Sequence, residues 1–104
     1  MQIPKPNHKR RKPKRGDRGK FLPSVRAQIL ERDHGICQQC FKDGEEVHHI
    51  IFKSRGGRGV FTNGVTLCQS CHGKAHSGAA MTEYWITTFA DRYGSDFHKD
   101  EWDE

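Results

Sequence analysis

Two cysteine pairs, CQQC at Cys37 and Cys40 and CQSC at Cys68 and Cys71, are the first residues in this 104-residue chain whose spacing can do chemistry. Cysteines three apart are poorly placed to bridge each other and well placed to chelate, and two such pairs make a tetrathiolate zinc site. Such a site is closed: it leaves no open coordination position, so it is structural and contributes folding energy directly. A redox CxxC or a pair of disulfides is the competing reading. The polar start MQIPKPNHKR, with no apolar signal segment, weighs against it and points to a reducing cytoplasm.

The second set of chemically able residues is His48 and His49 in EVHHI, Asn63, and His72 and His76 in CHGKAH. His72 and His76 are four apart, on one face of a helix, and can hold one divalent ion with a strand histidine completing a three-ligand set. Neighbouring strand residues point to opposite faces, so His48 is expected to face the ion and His49 the space where water sits. One imidazole then holds the ion while the other takes a proton. Phosphodiester hydrolysis suits this pairing, because it needs a base for water and charge neutralisation at phosphate. Asn63 before Gly64 is by itself a turn former, and His8, His34 and His98 read as solvated or hydrogen-bonded side chains.

Charge distribution agrees with a polyanionic partner. The net charge is +5, and residues 1–20 carry nine of the eighteen Lys and Arg against the one acid Asp17, whereas residues 91–104 carry six acids against Arg92 and Lys99. The front arm, with Lys9, Arg10, Arg11, Lys12, Lys14 and Arg15, is too polar to fold alone and is expected to be disordered until it lies along a phosphate backbone. Solubilisation, ribosomal RNA or anionic lipid are its other uses. The glycine-rich loop KSRGGRG offers Lys53, Arg55 and Arg58 as further DNA contacts, or merely a solvated loop. No apolar run approaches the length of a membrane span.

The elements that must position these groups are short. Val25, Ile29 and Leu30 recur at helical spacing, with Ser24 as N-cap and Gly35 as stop. Asp43-Gly44 signals a hairpin turn before a strand over Val47 to Phe52. A short helix follows Cys71, and another over Thr82 to Tyr93 carries Trp85, Ile86, Phe89 and Tyr93 as a core stripe. The reading is a basic arm (1–20), one catalytic domain (21–93) and a loose acidic tail (94–104).

The order CxxC, HHI, Asn, CxxCHxxxH, over about Val25 to Ser77, resembles the HNH endonuclease family, in the four-cysteine branch of phages and McrA-type restriction enzymes. The resemblance implies an α+β fold, a small beta-beta-alpha-metal (His-Me finger) core with a structural zinc site and flanking helices. It implies His48 as a metal ligand, often Asp in relatives, His49 as general base, and Asn63 as orienter of the base or a reach toward the ion. It further implies His72 as the closing ligand, His76 as the additional ligand of the colicin branch, and Glu46 as the acid that positions an arginine near phosphate. The implied activity is weakly specific nicking or cleavage of double-stranded DNA with Mg, Mn or Ni, leaving 5′-phosphate and 3′-hydroxyl ends. Implied settings are a bacterial or phage-infected cytoplasm and work beside a phage terminase large subunit. The alternative is a noncatalytic zinc module that binds nucleic acid.

Overall fold

A computed structural model describes residues 15–103. Its elements are a single turn α1 (Arg15–Arg18), helix α2 (Pro23–Arg32), strand β1 (Glu46–His49), strand β2 (Gly64–Leu67), helix α3 (Gln69–Ser77) and helix α4 (Ala79–Tyr93), with 3-10 turns at Lys53–Arg55 and Phe61–Asn63. The strands pair antiparallel, with Glu46 opposite Leu67, Val47 opposite Thr66, His48 opposite Val65 and His49 opposite Gly64. α2 and α3 both pack on this ribbon, and α4 packs on α3. This is the small α+β arrangement that an HNH domain with a zinc site requires.

Helix α2 begins two residues earlier than its sequence suggests. Leu22 is the N-cap, without a side-chain cap bond, and Pro23 occupies the first helical position in place of the expected Ser24 cap. Proline's fixed φ suits that position, and its missing N–H has no intrahelical partner to lose there. At the other end, Asp33 is buried, and its carboxylate receives the Arg32 guanidinium at 2.8 Å and the Thr66 N–H at 3.0 Å. Arg32 also donates to the Gly64 carbonyl at 2.7 Å. This pair locks α2 onto β2, and the two charges offset the cost of burying either one.

Strand β1 stops at His49, short of the expected Phe52. The Ile50 N–H still reaches the Asn63 carbonyl at 3.0 Å, but the next N–H, of Ile51, is taken by the Asn63 side chain. A side-chain amide has replaced the ladder, so the chain turns away. Asp43-Gly44 is likewise not a hairpin turn: Asp43 forms an isolated bridge with Ile36, and the reversal happens across the cysteine knuckle between them. A Cβ on Gly44 would press on the Cys37 backbone, which explains glycine there.

α4 starts at Ala79, three residues before the expected Thr82, because Thr82 Oγ1 bonds back to the Ala75 and Gly78 carbonyls inside its first turn. Part of its stripe is core: Trp85 and Phe89 are buried with Ile50, Val65, Leu67, Ala75 and Phe97, Ile86 is partly buried against them, and Tyr93 is exposed. Phe97 belongs to the segment expected to be a loose acidic tail, and that expectation is corrected. Apolar burial of Phe97 and ion pairs from Asp100 and Asp103 to Arg18 and Arg58 bind the segment to the domain. Arg18 comes from the other flank, so the folded part also begins before residue 21. No described helix is long and apolar enough to cross a membrane.

Candidate active site and metal centres

The first knuckle of Cys37 and Cys40 and the second of Cys68 and Cys71 come together with all four sulfurs within 4.8 Å of one another. None is bridged, and Cys40 Sγ lies 3.7 Å from Cys68 Sγ. In each knuckle the backbone N–H of the second cysteine donates to the sulfur of the first at 3.4 Å. The second of these bonds also caps α3, since Cys68 is its N-cap residue. Burial raises the Cys37 thiol, but nearby backbone N–H groups outweigh it and bring it to about 6, while burial and then the neighbouring sulfurs push Cys71 up to about 12. Four thiolates this close repel one another, and a dication relieves that conflict. The cluster fits zinc.

His48, His72 and His76 form the second cluster, each offering a ring nitrogen within 4.8 Å of the others. Ring centroids lie 5.0 Å apart for His48 and His72, 5.1 Å for His48 and His76, and 4.9 Å for His72 and His76. His48 is fully buried, and neither of its ring nitrogens has a hydrogen-bond partner within the protein. A buried imidazole with nothing to bond is costly unless something else takes its lone pair. Burial first, then the facing His72 and His76, lower its pKa to about 3, so it is a neutral donor at any ordinary pH. His72 Nδ1 donates to Glu46 Oε1 at 2.7 Å, which leaves Nε2 as its donor atom. Glu46 is thus bonded to a histidine of the cluster through one of its carboxylate oxygens. The chemistry of the donor set, three imidazoles with one orphaned at its base, fits one divalent ion.

His49 points away from this cluster's buried ligand, as strand alternation requires. Its ring stacks on Phe21 at 4.1 Å, and its Nε2 meets the Gly19 carbonyl at 2.5 Å. A carbonyl only accepts, so Nε2 carries the hydrogen and Nδ1 keeps the lone pair. Burial lowers the His49 pKa, partly opposed by the Gly19 bond, which favours the unprotonated ring at neutrality. Together with Val47, Phe52, Lys53, Ser54, His72 and His76, it lines a surface cavity of about 420 Å³.

Asn63 touches neither cluster. It is fully buried, accepts from the Ile51 N–H at 2.9 Å, and donates to the Ile51 and Arg58 carbonyls at 3.1 and 3.0 Å. Of the two roles the sequence left open, the side chain is placed for orienting its neighbourhood. A Cβ on Gly57 would overlap the Ile51 carbonyl, so the glycine loop can fold back only because that residue has no side chain.

The expected DNA contacts divide. Lys9, Arg10, Arg11, Lys12 and Lys14 lie outside the described residues, and Arg15 opens α1. Lys53 and Arg55 sit on an exposed turn with no ion pair among the described residues. Arg58 is committed internally, to Asp103 at 2.9 and 3.1 Å. Sequence reasoning missed Arg18, Gly19, Phe21, Asp100 and Asp103. Their signal was the opposition of a basic front and an acidic back, which is satisfied in part within the molecule.

A four-cysteine knuckle pair that fits zinc, an antiparallel ribbon with adjacent histidines and a following helix with two more make up the arrangement of an HNH domain. The HNH endonuclease family model matches residues 35–78, and the chain belongs to that family. It is 42% identical over 64 residues to the type IV methyl-directed restriction enzyme EcoKMcrA of Escherichia coli K12, covering 52% of this chain and 23% of that protein. It is 41% identical over 53 residues to Anaredoxin of Nostoc sp. PCC 7120, covering 49% of this chain and 70% of that protein. The chain thus spans under a quarter of the length of the restriction enzyme it matches.

Proposed function

We propose that the chain is a divalent-metal-dependent endonuclease or nickase that hydrolyses DNA phosphodiester bonds with low sequence specificity. The observation that carries this reading is the buried His48, its ring nitrogens unpartnered, between His72 and His76 and beside a His49 whose Nδ1 is bare. His48, His72 and His76 would hold the ion, and Glu46 fixes the tautomer of His72. A Mg, Mn or Ni ion bound there would supply charge neutralisation at the phosphate.

The chain's own residues do the rest. His49 Nδ1 accepts a proton from water as the new oxygen–phosphorus bond forms, the bond from phosphorus to the 3′ oxygen breaks in line, and the released 3′ oxygen takes a proton from solvent. The Gly19 carbonyl stabilises the resulting imidazolium through Nε2–H. Asn63 is a positioning residue that holds the loop from Ile51 to Arg58 beside the site. Lys53 and Arg55, together with the arm residues Lys9 to Arg15, attract the backbone without reading bases. Cys37, Cys40, Cys68 and Cys71 would hold a structural zinc beside the start of α3. Four unbridged cysteines suit a reducing cytoplasm, bacterial or phage-infected, and the family resemblance makes a terminase large subunit the partner to test by co-purification.

Supercoiled plasmid incubated with Mg, Mn or Ni tests the reading. Wild-type protein is expected to nick it, and His49→Ala to lose about 100-fold or more in rate while retaining zinc. Equal nicking by both proteins would remove His49 from the reaction.

A further inference from the structure

We propose that Arg18, Asp100 and Asp103 form a clamp that sets the His49 ring, by carrying the Gly19 carbonyl to its Nε2. The inference rests on the reading of His49 as the base and adds the residues that orient it. All three lie outside residues 35–78, so the clamp is not part of the matched family core.

The connections run without a gap. Arg18 donates to both Asp100 oxygens, from Nε at 3.1 Å and Nη2 at 2.8 Å, and from Nη2 to Asp103 at 2.9 Å. This forked geometry fixes a guanidinium in orientation as well as position. Asp103 is shared with Arg58, whose carbonyl accepts from Asn63 and whose N–H donates to the His98 carbonyl at 3.1 Å. Backbone donors hold the two carboxylates in place, since the Asp100 N–H donates to Asp103 at 3.0 Å and the Trp102 N–H to Asp100 at 2.9 Å.

The backbone then carries the constraint to the histidine. Gly59 donates its N–H to the Arg18 carbonyl at 2.8 Å, and a Cβ on Gly59 would overlap the Lys20 carbonyl, so the loop and the flank lie in direct contact. Gly19 is the residue between those two carbonyls, and its own carbonyl faces His49. Phe21, two residues on, covers the ring face. Phe21 anchors the flank through its ring, but the flank's other ion pair among the described residues, Lys20 to Asp17 at 3.4 Å, is exposed, so the clamp is the polar constraint on where the Gly19 carbonyl sits. A freed Gly19 carbonyl no longer selects the Nε2–H tautomer, and the lone pair needed for water then divides between the two nitrogens.

The test uses the full zinc-loaded chain labelled with nitrogen-15 histidine, read by two-bond proton–nitrogen correlation, beside plasmid nicking with Mg. Wild-type His49 is expected as one tautomer, protonated at Nε2. Arg18→Ala and the isosteric Asp103→Asn should mix the tautomers and lower kcat about tenfold, with KM within about twofold. Arg18→Lys should recover part of both signals. Asp96→Asn removes the same charge from an exposed pair with Lys99 and should change neither. A wild-type tautomer in both Arg18→Ala and Asp103→Asn, with zinc retained, would overturn the clamp. A tautomer shift in variants of a protein that leaves plasmid uncut would support the clamp and refute the nuclease reading instead.

Discussion

Replacing Asn63 by alanine should be among the most damaging single changes in the domain, although the side chain touches no metal ligand. The substitution removes three hydrogen bonds of 2.9 to 3.1 Å from a fully buried site, and strands the Ile51 N–H and the Ile51 and Arg58 carbonyls. A buried N–H left unpaired costs about 1–3 kcal/mol, and each carbonyl somewhat less because it has a second lone pair. Adding the small void, the total comes to about 3–5 kcal/mol. A domain of this size has about 5–15 kcal/mol in all, so thermal unfolding of the zinc-loaded protein should fall by about 15 °C or more. Asn63→Asp is the sharper variant. It keeps the acceptor for Ile51 and the volume, but turns two donors into a carboxylate oxygen facing two carbonyls, and should lose as much. Calorimetry with zinc stoichiometry measured on the same samples gives the answer. A melting temperature within a few degrees of wild type for Asn63→Asp would refute the assignment of Asn63 as the fastener of the loop.

Four other outcomes are expected on the same physical grounds. Phe41 is 75% exposed with φ of 67°, so Phe41→Gly should stabilise the fold by about 1 kcal/mol in urea titration, since glycine adopts that backbone without strain and little burial is lost. Lys53→Ala and Arg55→Ala should each reduce the log–log salt slope of DNA binding by about 0.9, while Arg58→Ala should lower stability and leave the slope nearly unchanged. Removing zinc with a strong chelator should abolish the far-ultraviolet helical signal cooperatively, and Cys37→Ser should behave like the chelated protein. Arg58 holds the Asp103 carboxyl, and Arg18 that of Asp100, below the usual carboxylate range. The unfolded chain therefore takes up protons first: the clamp's contribution is complete above about pH 4 and lost as pH falls further, so the stability gap between wild type and Asp103→Asn should shrink below pH 4.

Much of the site was legible because its logic is local. Cysteines three apart announce a chelate, histidines four apart share a helix face, and strand alternation separates His48 from His49. Those relations involve only one element at a time. The alternation holds in the structure, with His48 buried and His49 half-buried on the other side. Trp85 and Phe89 of the α4 stripe read correctly for the same reason, whereas Tyr93 at the end of the helix is exposed. What stayed hidden depends on pairs far apart in the chain. Arg18 meets Asp100 across 82 positions, Arg32 and Asp33 reach across to β2, and Asn63 closes a loop on Ile51 and Arg58. Charge counts summed over segments had assigned the two flanks to different environments. Opposite segments that neutralise each other produce the same counts as segments that never meet, so composition could not separate the cases. Glu46 shows a smaller version: its place two before His48 suggested a partner arginine, whereas the register brings α3 and His72 over β1.

Helix α3 is nine residues long and contributes to both clusters, beginning just after Cys68 and carrying Cys71, His72 and His76. An occupant at either cluster narrows the conformations open to the other, so the two affinities cannot be independent. Thermodynamic reciprocity then requires that whatever factor zinc adds to the histidines' hold on their ion, that ion returns to zinc.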